Sequence, residues 1–339
     1  MIEQTTIKEE LLRIASVYLE DTIDYKKLSQ ITTDYKALLQ SLNANDLNTR
    51  EGRQHIYMNN GLAIGPFWAA LCLDDIMRTR QFIRGTHKAI SDKLAQTNNT
   101  INILYAGTGP FATILLPLIF KYPKNRINYT FLEINPISLD WLKSLIDAID
   151  FTSYPINLLL RDASTYNIDK KHIPDVIVSE TMQNVLDKEQ QVPIFLHLMN
   201  QAKPDTIFIP EKISIQLGLK QKGINDTELE NKHYQRLKMI LEISKESMKP
   251  FIQKPEEWQY GQAFGADQTI IEMEQQANSN SLLLLTDIQV YSNEIIEIAE
   301  SGLTLPRNIL NLAPSDKRKL TINSRYQISN KPKLEYEIV

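Results

Sequence analysis

The 339-residue chain is 42% hydrophobic, 8% aromatic and 23% charged, which excludes a disordered, collagen-like or low-complexity chain and leaves one large or two ordinary globular domains. Its 37 Lys and Arg against 41 Asp and Glu give a formal net charge of -4, so bulk electrostatics offer no nucleic-acid surface, while mild acidity is compatible with a cationic substrate. The single cysteine, Cys72, excludes an intrachain disulfide and any multi-cysteine zinc site, and the five histidines show no metal-ligand spacing.

The first residues, MIEQTTIKEELLRIA, carry acids and lack the apolar core of a secretory signal. The most apolar run, Ala112 to Phe120, is interrupted by Pro117 and is too short to span a bilayer. The expectation is a cytoplasmic protein in a reducing compartment, with no metal, no membrane and no nucleic-acid partner.

Residues 1–98 read as a helical region. Leu11, Leu12, Ile14, Ala15 and Leu19 recur at helical spacing, as do Leu38, Leu39 and Leu42, and Pro66 opens a long helix through Trp68, Leu71, Leu73 and Met77. From 99 to 213 the texture alternates. INILYA (101–106) is a strand, followed by a glycine turn and a helix to about Phe120. NYTFLE (128–133) is a second strand, with a helix from Ser138 to about Ile149; INLLLRD (156–162) and DVIVSE (175–180) are the third and fourth. A helix around Ile194 to Gln201 leads to DTIFIP (205–210). Strands spaced by helices predict a parallel sheet covered on both faces. Residues 214–339 read as a β-rich domain with antiparallel pairing, carrying LLLLTDIQVY (282–291), KLTINSRYQI (319–328) and KLEYEI (333–338), and a helical insertion at about 227–248.

Two constellations carry chemistry. Tyr105-Ala106-Gly107-Thr108-Gly109-Pro110 lies at a strand-to-helix turn in a chain with only 11 glycines, where Gly107 and Gly109 let backbone approach a ligand. Glu133 ends the second strand, where doubly wound folds place an acid for ribose hydroxyls, and Asp162 ends the third beside the same edge. Together they favour an adenosine ligand. The phosphate-loop pattern GxxxxGK[ST] is absent, and the dinucleotide fingerprint wants a third glycine where Ala112 stands. The turn also resembles the S-adenosylmethionine pocket of class I methyltransferases.

The second constellation is Glu180 and Glu189, nine residues apart. On a straight helix nine residues turn through about 900°, which puts the two acids on opposite faces. They converge only if the segment doubles back as a loop. Two converging carboxylates would suit a planar, bidentate cation, a guanidinium.

SETMQNVLDKE (179–189) resembles the double-glutamate loop of the protein arginine methyltransferase family. FLEINPISLDWL (131–142), YAGTGP (105–110) and LDDIMRTRQFIRGTHKAI (73–90) resemble the family's second-strand motif, glycine turn and cofactor-covering helix, so the likeness spans about residues 66 to 213. It implies a Rossmann-like class I methyltransferase core in an α/β fold, with N-terminal helices and a C-terminal β-rich, barrel-like domain. It implies S-adenosylmethionine as cofactor, with its carboxylate on Arg78, its methionine and ribose along Gly107 and Gly109, the ribose hydroxyls on Glu133 and the adenine near Asp162 and Ala163. Glu180 and Glu189 would clamp the guanidinium as catalytic residues. The family's threonine-histidine-tryptophan loop lies in the C-terminal barrel, yet this chain has neither His nor Trp after residue 258, and SGLTLP (301–306) is no substitute. The expectation is therefore an N-methyltransferase of a small substrate, free L-arginine or another guanidino compound, as in natural-product pathways. The alternatives are a protein arginine methyltransferase and a methyltransferase of another small nitrogen or oxygen nucleophile. Homodimerisation is expected from the resemblance, with 227–248 as a projecting arm or a lid.

Overall fold

The computed structural model describes residues 4–43, 45–149, 151–221, 223, 231–252, 261–272, 279–312 and 319–339. Two helices open the chain, α1 (Gln4–Tyr18) and α2 (Tyr25–Ser41). Asp24 caps α2 by accepting from the Lys27 amide. Leu11, Ile14 and Ala15 of α1 and Leu38 and Leu39 of α2, which recur at helical spacing, are buried, and Tyr18, Ile31 and Tyr35 are buried with them.

A hairpin follows where no alternation is visible in the sequence: β1 (Ile56–Met58) and β2 (Gly61–Ala63) pair around Asn59-Asn60. Three-residue strands are too short to display a period. The long helix expected from Pro66 is two, α3 (Pro66–Leu71) and α4 (Ile76–Gln96), separated by a 3-10 turn. Asp75 makes the break, leaving helical geometry and capping α4 by accepting from the Arg78 amide at 3.2 Å.

The central sheet is parallel. Its strands β3 (Ile101–Ala106), β4 (Ile127–Glu133), β5 (Ile156–Leu160), β6 (Val176–Ser179) and β7 (Ile207–Ile209) lie in the order β5-β4-β3-β6-β7. Helix α5 (Pro136–Ala148) follows β4 and α6 (Gln191–Met199) precedes β7. Strand order reverses at β3, so the carboxyl ends of β3, β4 and β6 open on one crevice. No α-helix follows the glycine turn. The chain runs through tight turns into a 3-10 helix at Leu116–Lys121, because Pro110 and Pro117 remove amide donors and Ala112 adopts φ 46°.

The remainder forms two antiparallel sheets. β8 (Lys212–Gln221), β9 (Tyr234–Ser244), β11 (Ser279–Tyr291) and β12 (Glu294–Ile296) form the order β12-β11-β8-β9, with β13 (Arg307–Asn311) on β11. β10 (Ala263–Glu272), β14 (Lys319–Gln327) and β15 (Lys333–Ile338) form the other. The helix expected at about 227–248 is not formed: residues 227–230 lie outside the described residues, and Tyr234–Ser244 is strand β9, followed by the short helix α7 (Lys245–Ile252). Its Leu, Lys, Met and Glu are good helix formers. Pairing along β8 from Lys220↔Tyr234 to Lys212↔Ser244, with Ile240, Leu241 and Ile243 buried, overrides that preference. Among the described residues no helix is long and apolar enough to cross a membrane.

Helix α4 joins the units. Arg84 donates from Nε to Glu294 Oε2 at 2.8 Å and from Nη1 to the Leu19 and Glu20 carbonyls at 2.7 Å each, tying α4 to β12 and to the end of α1. The next residue, Gly85, meets β11 so closely that an added Cβ would lie 2.5 Å from Val290 Cγ1. Gly85→Ala is expected to force the helix off the sheet and cost about 1–3 kcal/mol, read as a lowered midpoint in denaturant unfolding.

Candidate active site

The crevice at the carboxyl edge of the parallel sheet is a cleft of about 960 Å³, its open mouth included. Seven of the eight residues singled out in the sequence line it: Arg78, Gly107, Gly109, Glu133, Ala163, Glu180 and Glu189. Asp162 is the exception. Its Oδ1 accepts from the amide and hydroxyl of Ser164 at 2.8 and 2.7 Å, so it fixes its own turn, and its neighbours Arg161 and Ala163 line the cleft.

The glycine turn is shaped by left-handed backbone, φ 75° at Gly107 and 60° at Gly109. At Gly107 a Cβ would also lie 2.3 Å from Thr181 Cγ2, so glycine is needed both for conformation and for contact with the segment after β6. Glu133 holds this turn. Its Oε2 accepts from the Gly109 amide and its Oε1 from the Asn135 amide, both at 2.8 Å. Burial pushes its carboxyl above the usual range, while these amides pull the other way. Oε2 also accepts from the Thr108 hydroxyl at 3.4 Å, and Oε1 keeps a lone pair for a ligand hydroxyl.

Glu180 and Glu189 reach one cleft because the segment between them doubles back. Val185, Leu186 and Lys188 adopt φ 54°, 57° and 67°, a conformation that costs non-glycine residues about 1–3 kcal/mol each. Distant parts of the chain hold it. The Tyr326 hydroxyl donates to the Leu186 carbonyl at 2.9 Å, and the Lys188 amide to the Pro332 carbonyl at 2.7 Å. From the other side the Leu62 amide of β2 donates to the Lys188 carbonyl at 2.9 Å. Gln191 Oε1 accepts from the Thr181 amide and hydroxyl at 3.0 Å each, fixing the residue next to Glu180.

Charge is concentrated here. Arg78 Nη2 donates to Glu180 Oε2 in an ion pair whose side chains are only 14% and 9% exposed. Glu180 Oε1 is buried without a hydrogen-bond partner. Burial raises the Glu180 carboxyl against the pull of Arg78, and Arg78 stays protonated beside it. Glu189 is pushed up to about 7, chiefly by burial and then by the Glu180 charge, with Arg78 and a hydrogen bond from Gln183 opposing. The Cys72 thiol shares this neighbourhood and is pushed up to about 11 by burial, so it is neutral. Among the described residues no three His, Cys, Asp or Glu side chains are placed to hold a metal ion.

The sequence pattern misses two supports. Segment 301–306, expected to be no substitute for a barrel loop, reaches the site: Ser301 Oγ and the Gly302 amide donate to Asp75 Oδ2 at 2.6 and 2.9 Å, and Asn184 Nδ2 donates to the Leu303 and Leu305 carbonyls at 3.1 and 2.6 Å. Gly302 and Leu303 border the mouth beside Glu189. The β1–β2 hairpin is the other support. Gln190 Nε2 donates to Asn60 Oδ1 at 2.5 Å, and Asn60 Nδ2 to Ser164 Oγ at 2.9 Å, closing the far side. Only the Asn-Asn-Gly turn could have signalled it.

No family model matches the chain, and no curated protein sequence matches it significantly. Solved structures do resemble it. The Trypanosoma brucei PRMT1 enzyme–prozyme heterotetrameric complex with AdoHcy aligns at TM-score 0.50 and 11% identity, over 80% of this chain and 98% of that one. The crystal structure of PRMT6 aligns at TM-score 0.54 and 11% identity, over the same shares. The chain thus has the mixed α/β fold of these structures: N-terminal helices, a parallel central sheet and a C-terminal antiparallel β-rich region.

The Glu189 carboxyl has a folded pKa of about 7 against its usual 4.5, so its contribution to stability is full below the lower value and lost as pH rises through the upper one. Glu189→Gln, which cannot ionise, is expected to melt near the wild-type temperature at pH 5 and to gain on the order of 1–3 kcal/mol over it at pH 8. Thermal melts at both pH values check this.

Proposed function

We propose that the chain is an S-adenosylmethionine-dependent N-methyltransferase of a guanidinium, most specifically that of free L-arginine. One observation carries the reading: two buried carboxylates converge on the cleft through a strained loop, and Glu180 keeps a buried oxygen with no partner. A desolvated acceptor facing a second acid is what a planar, charged donor fork would satisfy. The fold shared with PRMT structures, one of them holding AdoHcy, supports the same chemistry.

The cleft fits the cofactor. Glu133 Oε1 retains a lone pair for a ribose hydroxyl, Leu132, Ile134 and Ala163 supply an apolar wall for an adenine, and Arg78 lies within the same cleft as a partner for a carboxylate. Bound there, the cofactor supplies an electrophilic methyl on sulfonium sulfur. The chain's own work is positioning. Glu180 and Glu189 accept hydrogen bonds from two guanidinium nitrogens, draw positive charge toward them and aim the third nitrogen at the methyl. The proton lost by that nitrogen passes to a carboxylate, and Glu189, pushed up to about 7, is matched to receive it.

A small substrate is favoured by the mouth. His55, Trp68, Met182, Asn184 and Leu303 border it, and among its described lining residues Glu189 is the only carboxylate. A basic peptide tail would find no acidic groove there.

Mass spectrometry with S-adenosylmethionine, offering L-arginine and an arginine-rich peptide side by side, tests the reading. One added methyl on L-arginine is expected; methylation of the peptide alone would give the protein-modifying activity instead, and silence on both would remove the guanidinium. Glu180→Gln and Glu189→Gln are each expected to lower kcat/KM by about 10²–10³-fold. The wild-type kcat/KM is expected to rise with pH through about 7 as Glu189 ionises, and steady-state rates between pH 5.5 and 9 check the profile.

A further inference from the structure

The duties that the proposed function gives to Arg78 and Glu180 compete in the arrangement this chain adopts by itself. Arg78 Nη2 donates to Glu180 Oε2, so a guanidinium already sits on one oxygen of the clamp. It is the chain's own copy of the substrate's reacting group: planar, permanently charged and forked. The pair is mostly out of water and little screened.

The backbone of Arg78 is fixed while its side chain has a choice. Its amide donates to Asp75 Oδ1, and Asp75 Oδ2 is held by Ser301 and Gly302, so the first turn of α4 cannot follow the guanidinium. Side-chain torsions alone separate the Glu180-paired position from others in the cleft. Few anions are at hand there. Cys72 beside Arg78 is a neutral thiol, Asp75 and Glu189 act on Arg78 through space without a hydrogen bond to its guanidinium, and among the described residues Glu180 is the only carboxylate that accepts from the Arg78 side chain. A substrate guanidinium that took Glu180 for itself would leave Arg78 buried and unpaired, which is costly.

We propose that Arg78 is an internal competitor for the guanidinium clamp, and that a carboxylate arriving with the cofactor draws it off Glu180 and thereby opens the clamp, so that substrate binds after cofactor. The inference rests on the proposed function. It makes cofactor and substrate binding positively coupled, and the coupling is reciprocal. Without the cofactor, substrate affinity is lowered by the fraction of molecules in which Glu180 is free.

Calorimetry on the full chain tests it without turnover. L-Arginine is titrated into the chain alone, into the chain saturated with S-adenosylhomocysteine, and into the chain saturated with 5′-methylthioadenosine, which has the nucleoside and thioether but no amino-acid end. S-adenosylhomocysteine is expected to raise L-arginine affinity about tenfold or more, and methylthioadenosine to leave it within about twofold. Arg78→Met is expected to bind L-arginine without cofactor about tenfold more tightly than the wild type does, and to show no further gain on adding S-adenosylhomocysteine. Equal affinities in all wild-type states, or methylthioadenosine acting as well as S-adenosylhomocysteine, would overturn the inference while leaving the proposed function standing. L-Arginine binding in no state, with S-adenosylhomocysteine bound normally, would overturn both. The wild-type comparison decides the matter whether or not Arg78→Met folds.

Discussion

Everything at the site depends on a short stretch of backbone held in a conformation its residues do not favour. Val185, Leu186 and Lys188 are left-handed, and a β-branched residue such as Val185 adopts that region rarely. Relaxed into a helix, the same stretch would turn Glu180 and Glu189 away from each other. The conformation persists because it is over-determined. Tyr326, the Pro332 carbonyl and Leu62 each hold it from a different part of the chain. The C-terminal sheets and the β1–β2 hairpin therefore belong to the site even though neither contributes an acid to it.

The second constraint is the cost of keeping carboxylates out of water. The chain meets it in three ways within one cleft. Glu133 is held by backbone amides, an arrangement that also shapes the glycine turn. Glu180 is held by Arg78 on one oxygen and left without a partner on the other. Glu189 has no ion pair among the described residues and is pushed toward protonation. These are graded degrees of satisfaction. The most fully tied acid shapes the turn and keeps one acceptor position for a ligand, and the two less satisfied ones are poised for chemistry. Helix α4 supplies the frame, pinned by Asp75 at its start and by Arg84 on Glu294 about two and a half turns further on.

The sequence was most legible where burial alone decides structure. Strands β3 and β15 coincide with the apolar and alternating runs that announced them, because a strand must bury a fixed set of side chains. It was least legible where a distant partner decides. Tyr234–Ser244 is rich in helix formers and becomes strand β9 because β8 offers it a ladder. The single helix read from Pro66 is cut at Asp75, whose Oδ2 has its partners more than two hundred residues away. Asp162, which the resemblance put near the adenine, has one carboxylate oxygen engaged by Ser164 in its own turn, a local bond that strand-end spacing does not reveal.

By itself the sequence determined which groups stand at the carboxyl edge of a parallel sheet: two glycines after β3, Glu133 at the end of β4 and Glu180 after β6. That follows from the order of strands and from the period of their burial. Only the tertiary structure decided that Glu189 faces the same cleft as Glu180, that segment 301–306 closes the mouth, and that Arg78 pairs with Glu180. Each of these rests on hydrogen bonds between residues far apart in the chain. Local propensity carries no record of such bonds, because their energy exists only after the sheets and α4 have brought the partners together.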